Sequence, residues 1–288
     1  MSKLGVITDG ISRDFERALQ VMTEAGLEQA ELQYLWEKEV GDLDDDEMAR
    51  AKDLIGKYGV TVSCISRHNF VGMIVGDTEV GDENYNRHMD GLKRCIAMAR
   101  EVGTRMVRIM SFRRDMILFG EGGAENWVVA TGAWDKLITL LRPAVELAEK
   151  EDIQLVLETG NNAMVPSGYL GGKLIREMAS DHLKILWDPA NSLYANERTY
   201  PEGYDGLGVE SIGHIHIKDA LVDMPKATVT FGELGTGDMA DCLEPLARRL
   251  KSDGYAGPIS LESVYCPPGG SFEHGFKASV GRFKELYG

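Results

Sequence analysis

Along this chain, short runs with apolar residues at alternate positions are followed by longer stretches whose apolar residues recur every three or four. The first pattern suits a pleated strand with one packed face, the second a helix with one buried stripe. Strand-like runs fall at 3–9, 29–35, 60–66, 105–112, 153–160, 183–189, 214–220 and 258–264. Helix-like stretches follow at 14–25, 44–58, 83–102, 134–150, 171–180, a short piece near 202–210, 238–252 and 273–287. Gly26, Gly59, Gly103 and Gly254 each stand a few residues before the next strand, where a helix C-cap belongs.

Eight such units without a low-complexity linker predict one closed (β/α)8 barrel over residues 1–288. A doubly wound open sheet is the alternative. Its glycine-rich dinucleotide turn is missing after the first strand, where "TDGIS" stands instead.

Composition narrows the partners. The formal charge of −15 opposes binding to phosphate backbones, and no Lys/Arg run offsets it. The densest charge run, "DLDDDE" at 42–47, is acidic and reads as a solvated helix start. Cys64, Cys95, Cys242 and Cys266 lie far apart with no C-x-x-C pair, as expected of reduced thiols in the cytoplasm. "KLGVITDGIS" has no basic-then-apolar leader, and no apolar stretch approaches membrane-spanning length, so no membrane association is expected.

In a (β/α)8 barrel, function gathers at the C-terminal ends of the strands. The fifth predicted strand ends in Glu158, the sixth in Asp188, the eighth in Glu262. The seventh, "HIHIKDA" (214–220), alternates isoleucine with His214, His216 and Lys218. His216 lies nearer the mouth, and His214 is expected deeper, as a hydrogen-bonded core histidine. Three carboxylates in one pocket repel unless a cation neutralises them. Oxygen-rich ligands with one imidazole suit Mn²⁺, Mg²⁺ or Co²⁺ rather than a thiolate-loving metal, with Zn²⁺ as a further alternative.

"LVLETG", "ILWDPAN", "HIHIKDA" and "ISLESV", in this order, resemble the xylose-isomerase-like barrel superfamily of sugar isomerases and epimerases. Its members include ketose 3-epimerases, hydroxypyruvate isomerase, inosose dehydratase and, more distantly, endonuclease IV. The resemblance spans the barrel and is sharpest from 150 to 265. It implies Glu158, Asp188, His216 and Glu262 as metal ligands, and it implies Glu31, in the second strand, as a partner of the substrate or of a ligand. It also implies a small sugar or keto-sugar substrate and a possible homo-oligomer. The family usually has His three residues after the strand-six Asp; here that residue is Asn191, suited to a substrate hydroxyl and a poor ligand for a second metal. The endonuclease needs further histidines, whereas His88, His182 and His274 fall in helices or connections.

The expected chemistry is proton transfer on a keto-sugar through an enediolate stabilised by the ion, with Glu158 and Glu262 as acid and base. Isomerisation and epimerisation are expected first, and dehydration on the same site is the alternative. Endonuclease-like DNA repair and a catalytically silent sugar-binding barrel rank lower.

Further rim residues have two readings each. Arg108 orients substrate oxygens or pairs with a barrel carboxylate; His68 contacts a hydroxyl or caps a loop; Lys218 neutralises an enediolate or pairs with Asp219. "SGYLGGK" at 167–173 cradles a phosphate at a helix N-terminus or forms a flexible loop. "FGELGTGD" at 231–238, with Glu233, is expected as a mobile loop over the mouth, and Trp36 and Trp187 wall the pocket or fill the barrel.

Overall fold

The computed structural model describes residues 3–114 and 132–288. Its barrel strands are β1 (Lys3–Ile7), β2 (Gln29–Leu32), β5 (Thr61–Ile65), β6 (Met106–Ile109), β7 (Gln154–Glu158), β8 (Leu183–Trp187), β9 (Ile212–Ile217) and β12 (Pro258–Leu261). Two small hairpins stand outside it: β3 (Tyr34–Leu35) with β4 (Lys38–Glu39), and β10 (Asp219–Asp223) with β11 (Thr228–Gly232). The eight barrel strands are parallel, run in chain order around the ring, and close through β1 against β12. This is a (β/α)8 barrel.

Helices α1 (Phe15–Glu24), α2 (Asp45–Tyr58), α3 (Glu83–Glu101), α4 (Ala133–Glu151), α5 (Gly168–Met178), α8 (Ala240–Ser252) and α9 (Phe272–Tyr287) surround it. The acidic run at 42–47 supplies the start of α2: Asp44 and Glu47 form a capping box. Gly59 ends α2 with φ 65°, and Gly26, Gly103 and Gly254 also adopt left-handed backbone. No described helix is long and apolar enough to cross a membrane.

Alternation along each strand sorts the side chains. Leu155, Leu157, Ile185, Trp187, Ile215, Ile217, Ile259 and Leu261 belong to the apolar layer between strands and helices. Cys64, Val156 and Leu186, with Met106 against them, form a separate cluster inside the barrel. Above that plug, the next inward positions are polar. Trp187 therefore packs outward on Tyr204, ring centroids 5.8 Å apart, and Trp36 stacks edge-on against Phe15.

Two local expectations are corrected. The seventh strand ends at Ile217, and Asp219 opens the β10–β11 hairpin instead of extending the barrel. The short helical piece expected near 202–210 is present as a series of turns, α7 (Tyr204–Leu207) between turns at Thr199–Gly203 and Val209–Ser211, with the short α6 (Pro189–Tyr194) before them. "SGYLGGK" is the start of α5, not a loop, and its first amides are taken. Gly168 and Tyr169 N–H donate to the two Glu197 carboxylate oxygens at 2.8 and 3.1 Å, which leaves no phosphate cradle. Its glycines serve close packing, since a Cβ on Gly168 or Gly172 would overlap the carbonyl oxygens of Gly203 and Gly206.

The segment 231–238 is tied down. Buried Asp219 accepts from the backbone N–H of Ala220 and Gly235 (both 2.8 Å) and of Gly237 and Met239 (both 3.0 Å). Hydrogen bonds to a charged acceptor are the stronger kind, and their loss strands buried N–H groups. Asp219→Ala should therefore lower stability by about 2–4 kcal/mol in urea unfolding. An unchanged unfolding midpoint would contradict this anchoring.

Candidate metal centre

Inward alternation places Glu158 at the end of β7, His216 on β9, and Asp188 and Glu262 one residue beyond β8 and β12. The register holds them level: Ser260 pairs with His216, and Glu262 N–H donates to Ile217 C=O at 2.9 Å. Each of the four offers one ligand atom, and these atoms all lie within 4.8 Å of one another.

Every member is oriented by a second contact. Asp188 caps α6, its Oδ1 accepting from Ala190 N–H at 3.0 Å, while Oδ2 meets Lys218 Nζ at 2.5 Å. Glu262 Oε2 accepts from Lys218 Nζ at 2.8 Å, and Glu158 Oε2 from Arg108 Nη1 at 2.8 Å. His216 Nε2 lies 2.9 and 3.0 Å from the two oxygens of fully buried Glu31. Its other nitrogen, Nδ1, faces the cluster, with Glu158 Oε1 and Glu262 Oε2 standing off at 3.5 and 3.6 Å. A carboxylate behind an imidazole fixes which ring nitrogen is presented forward and raises its basicity. Glu31 is in turn held by Ser66 Oγ at 2.5 Å.

Burial and charge oppose each other here. Burial alone would raise Glu158, but Arg108 and His216 hold its carboxyl below the usual range. Glu262 is likewise held well below that range, against burial, by Lys218 and His216. Asp188 goes the other way: burial pushes it up to about 7, with the neighbouring Glu262 and Glu158 adding to the shift and Lys218 only partly offsetting it. Burial lowers His216, yet Glu31, Glu158 and Glu262 outweigh it and raise the imidazole well above its ordinary value. The His216 imidazole and the Lys218 ammonium are thus the groups set against these carboxylates. Three converging carboxylates and an Nδ1 with no close partner fit a divalent cation in the same position.

The other singled-out residues divide. Arg108 pairs with Glu158, and its Nη2 also donates to Gln33 Oε1 at 3.0 Å. Lys218 pairs with Asp188 and Glu262 rather than with Asp219. His68 lies outside the cluster, its Nδ1 2.8 Å from Glu39 Oε1 on the β3–β4 hairpin. Asn191 is buried and donates to Thr159 C=O at 2.8 Å, tying the β8 end to the β7 end. Glu233 is exposed on the anchored turn. His88 accepts from Phe70 N–H, His182 meets Ile153 C=O, and His274 caps α9.

Sequence reasoning missed the space beside the cluster. A cavity of about 320 Å³ opens between the β1 and β12 ends, lined in part by Ile7, Asp9, Gln33, Glu262 and Phe272. Asp9 and Gln33 just follow β1 and β2, so the strand-end rule applied there would have found them.

The profile of the family described as xylose isomerase-like TIM barrel matches residues 19–285. The chain belongs to this family. No curated protein matches it. Among solved structures, an IolI protein with a bound zinc atom aligns over 99% of this chain and 98% of its own, with TM-score 0.74 and 13% identity. The probable 3-DHS dehydratase AsbF from Bacillus anthracis aligns over 99% of both chains, with TM-score 0.73 and 15% identity. D-allulose 3-epimerase from Methylomonas sp. aligns over 99% and 97%, with TM-score 0.72 and 16% identity. At these identities the likeness is one of fold. Solved structures that share this fold include two 3-epimerases and a probable dehydratase.

His214, fully buried below the cluster, has Nε2 at 2.9 Å from Ser260 Oγ. Burial is the main cause pushing it down to about 4 from 6.5. A depressed value means the fold favours the neutral ring, so this contribution is complete above about 6.5 and lost as pH falls toward about 4. His214→Ala should cost about 1–3 kcal/mol near neutral pH. The gap from wild type in urea unfolding should narrow between pH 6.5 and 4, and a gap that widens on acidification would contradict the neutral assignment.

Proposed function

We propose that this chain is a metal-dependent isomerase or epimerase that moves a proton on a keto-sugar through an enediolate. Glu158, Asp188, His216 and Glu262 hold one divalent ion, Mn²⁺ first, and Glu158 and Glu262 carry the proton. The observation that supports this best is the convergence of four ligand atoms within 4.8 Å on a His216 Nδ1 set forward by Glu31. A divalent ion held there would supply the positive charge that acidifies the hydrogen between a carbonyl and its neighbouring hydroxyl.

The chain's own groups do the rest. Glu158 and Glu262 approach from β7 and β12, on different sides of His216, so one can remove a carbon-bound proton and the other return one. Arg108 keeps Glu158 ionised and fixed, as a base requires. Lys218 fixes Glu262 and, through its 2.8 Å hydrogen bond to Oε2, can supply the proton that Glu262 returns, with solvent afterwards taking the proton from Glu158 and restoring the one on Lys218. Return to the opposite face of the same carbon gives epimerisation, and return to the adjacent carbon gives isomerisation. Loss of a β-hydroxyl would give the dehydratase alternative.

The substrate is a small molecule, with no nucleic acid or membrane partner; a homo-oligomer is consistent with the family. Four free cysteines fit a reducing cytoplasm.

In heavy water, turnover of a ketose should place solvent deuterium at the α-carbon. Glu158→Gln and Glu262→Gln keep an oxygen ligand but remove the base. Each should retain bound Mn²⁺ by elemental analysis and lose about 10²–10⁴-fold in rate. Label transfer without solvent exchange would overturn the enediolate route, a deoxy or unsaturated product would select dehydration, and full activity in both variants would overturn the site.

A further inference from the structure

We infer that the cavity between the β1 and β12 ends receives the part of the substrate remote from the reacting carbon, and that Asp9 and Gln33 select there for an uncharged polyhydroxyl chain over a phosphorylated or carboxylated one. This rests on the isomerase or epimerase reading and adds the substrate class to it. Glu262 belongs both to the four-residue cluster and to the cavity wall. Among the described residues, a substrate whose reacting carbon lies at Glu262 therefore has room to extend toward Asp9. The volume of about 320 Å³ is in the range of small-molecule sites.

Asp9 and Gln33 are held in one orientation. Asp9 Oδ1 accepts from Tyr34 N–H at 3.2 Å, and Oδ2 from Gln33 Nε2 at 3.4 Å. Gln33 Oε1 is occupied by Arg108 Nη2 at 3.0 Å, which turns the amide nitrogen toward Asp9 and leaves it a second N–H. The chain Asp9–Gln33–Arg108–Glu158 thus couples the cavity to the proposed base. What the cavity presents is a fixed carboxylate acceptor beside an amide donor. A hydroxyl, being donor and acceptor at once, satisfies both.

Charge argues for the same class. Asp9 and Glu262 put two carboxylates on the cavity wall. The cation among its lining residues, Arg13, is exposed, with its guanidinium stacked over the Tyr34 ring at 4.2 Å. A phosphate or carboxylate entering there meets like charge at short range. The α9 N-terminus nearby is no better an anion site: Ser271 Oγ already accepts from His274 N–H, and Glu273 in the first turn is paired with Arg17 and Lys277. Ile7, Ile11 and the 48% exposed Phe272 supply apolar surface for the C–H face of a sugar.

The test uses the Mn²⁺-loaded full chain and a panel of pentuloses and hexuloses, each beside its terminal phosphate and its terminal carboxylate. Solvent-deuterium incorporation gives kcat and KM for each. The neutral member of a pair should be preferred by at least about a hundredfold in kcat/KM. Asp9→Asn, with unchanged metal content, should raise KM for the neutral ketose about tenfold and narrow the gap to its phosphate. Gln33→Leu should raise KM for the neutral ketose without narrowing that gap, and it provides the check if Asp9→Asn does not fold. Preference for a phosphorylated or carboxylated ketose would overturn the inference and spare the proton-transfer reading. A gap unmoved in Asp9→Asn, or KM unmoved in Gln33→Leu, would overturn the role of those residues. No exchange with any panel member by the metal-loaded protein would overturn both readings together.

Discussion

Buried like charge is the constraint around which this barrel is organised. Glu31, Glu158, Asp188 and Glu262 converge near the C-terminal end of the barrel interior, where water is scarce. Two like charges about 4 Å apart repel by roughly 4 kcal/mol at an effective dielectric near 20. Four carboxylates are tolerable only because Arg108, Lys218 and the His216 imidazole are interleaved with them. The opposite shifts of Asp188, raised to about 7, and Glu158, held low, show that this balance is local and incomplete. A divalent cation held among Glu158, Asp188, His216 and Glu262 would complete it.

Everything else in the fold serves that placement. The inner apolar plug of Cys64, Val156 and Leu186 closes the barrel below the polar layer, so the charged groups sit at one end rather than along a channel. Outward isoleucines and leucines anchor the strands to the helices and fix the register that keeps His216 and Glu262 level. Asp219, one residue past Lys218, spends its carboxylate on four backbone amides and so keeps the β10–β11 region from competing for the ammonium.

Much of this was legible in the sequence because two short-range rules were enough. Period-two alternation gives the inward face of each strand, and the strand-end rule then gathers Glu158, Asp188, His216 and Glu262. Alternation also contained the answer for Lys218: it shares a face with His214 and His216, while Asp219 points the other way, so the adjacent pair was the poorer choice. Other features depend on distant chain segments. Glu31 reaches His216 across 185 residues, a contact that exists only once the barrel closes. The glycines of "SGYLGGK" answer to the carbonyls of Gly203 and Gly206, and Glu197 fills the amides that a phosphate would have used. Nothing local to residues 167–173 announces either partner.

The central claim is that one divalent ion sits against His216 Nδ1, with Glu31 behind Nε2. Anomalous diffraction from crystals of the Mn²⁺-loaded protein, collected at the manganese edge, tests it most directly. The account predicts one strong peak per chain, bounded by Glu158, Asp188, His216 Nδ1 and Glu262, with Lys218 Nζ moved away from it. A peak bounded by Glu31 and His214 instead, or no peak at saturating Mn²⁺, would contradict it.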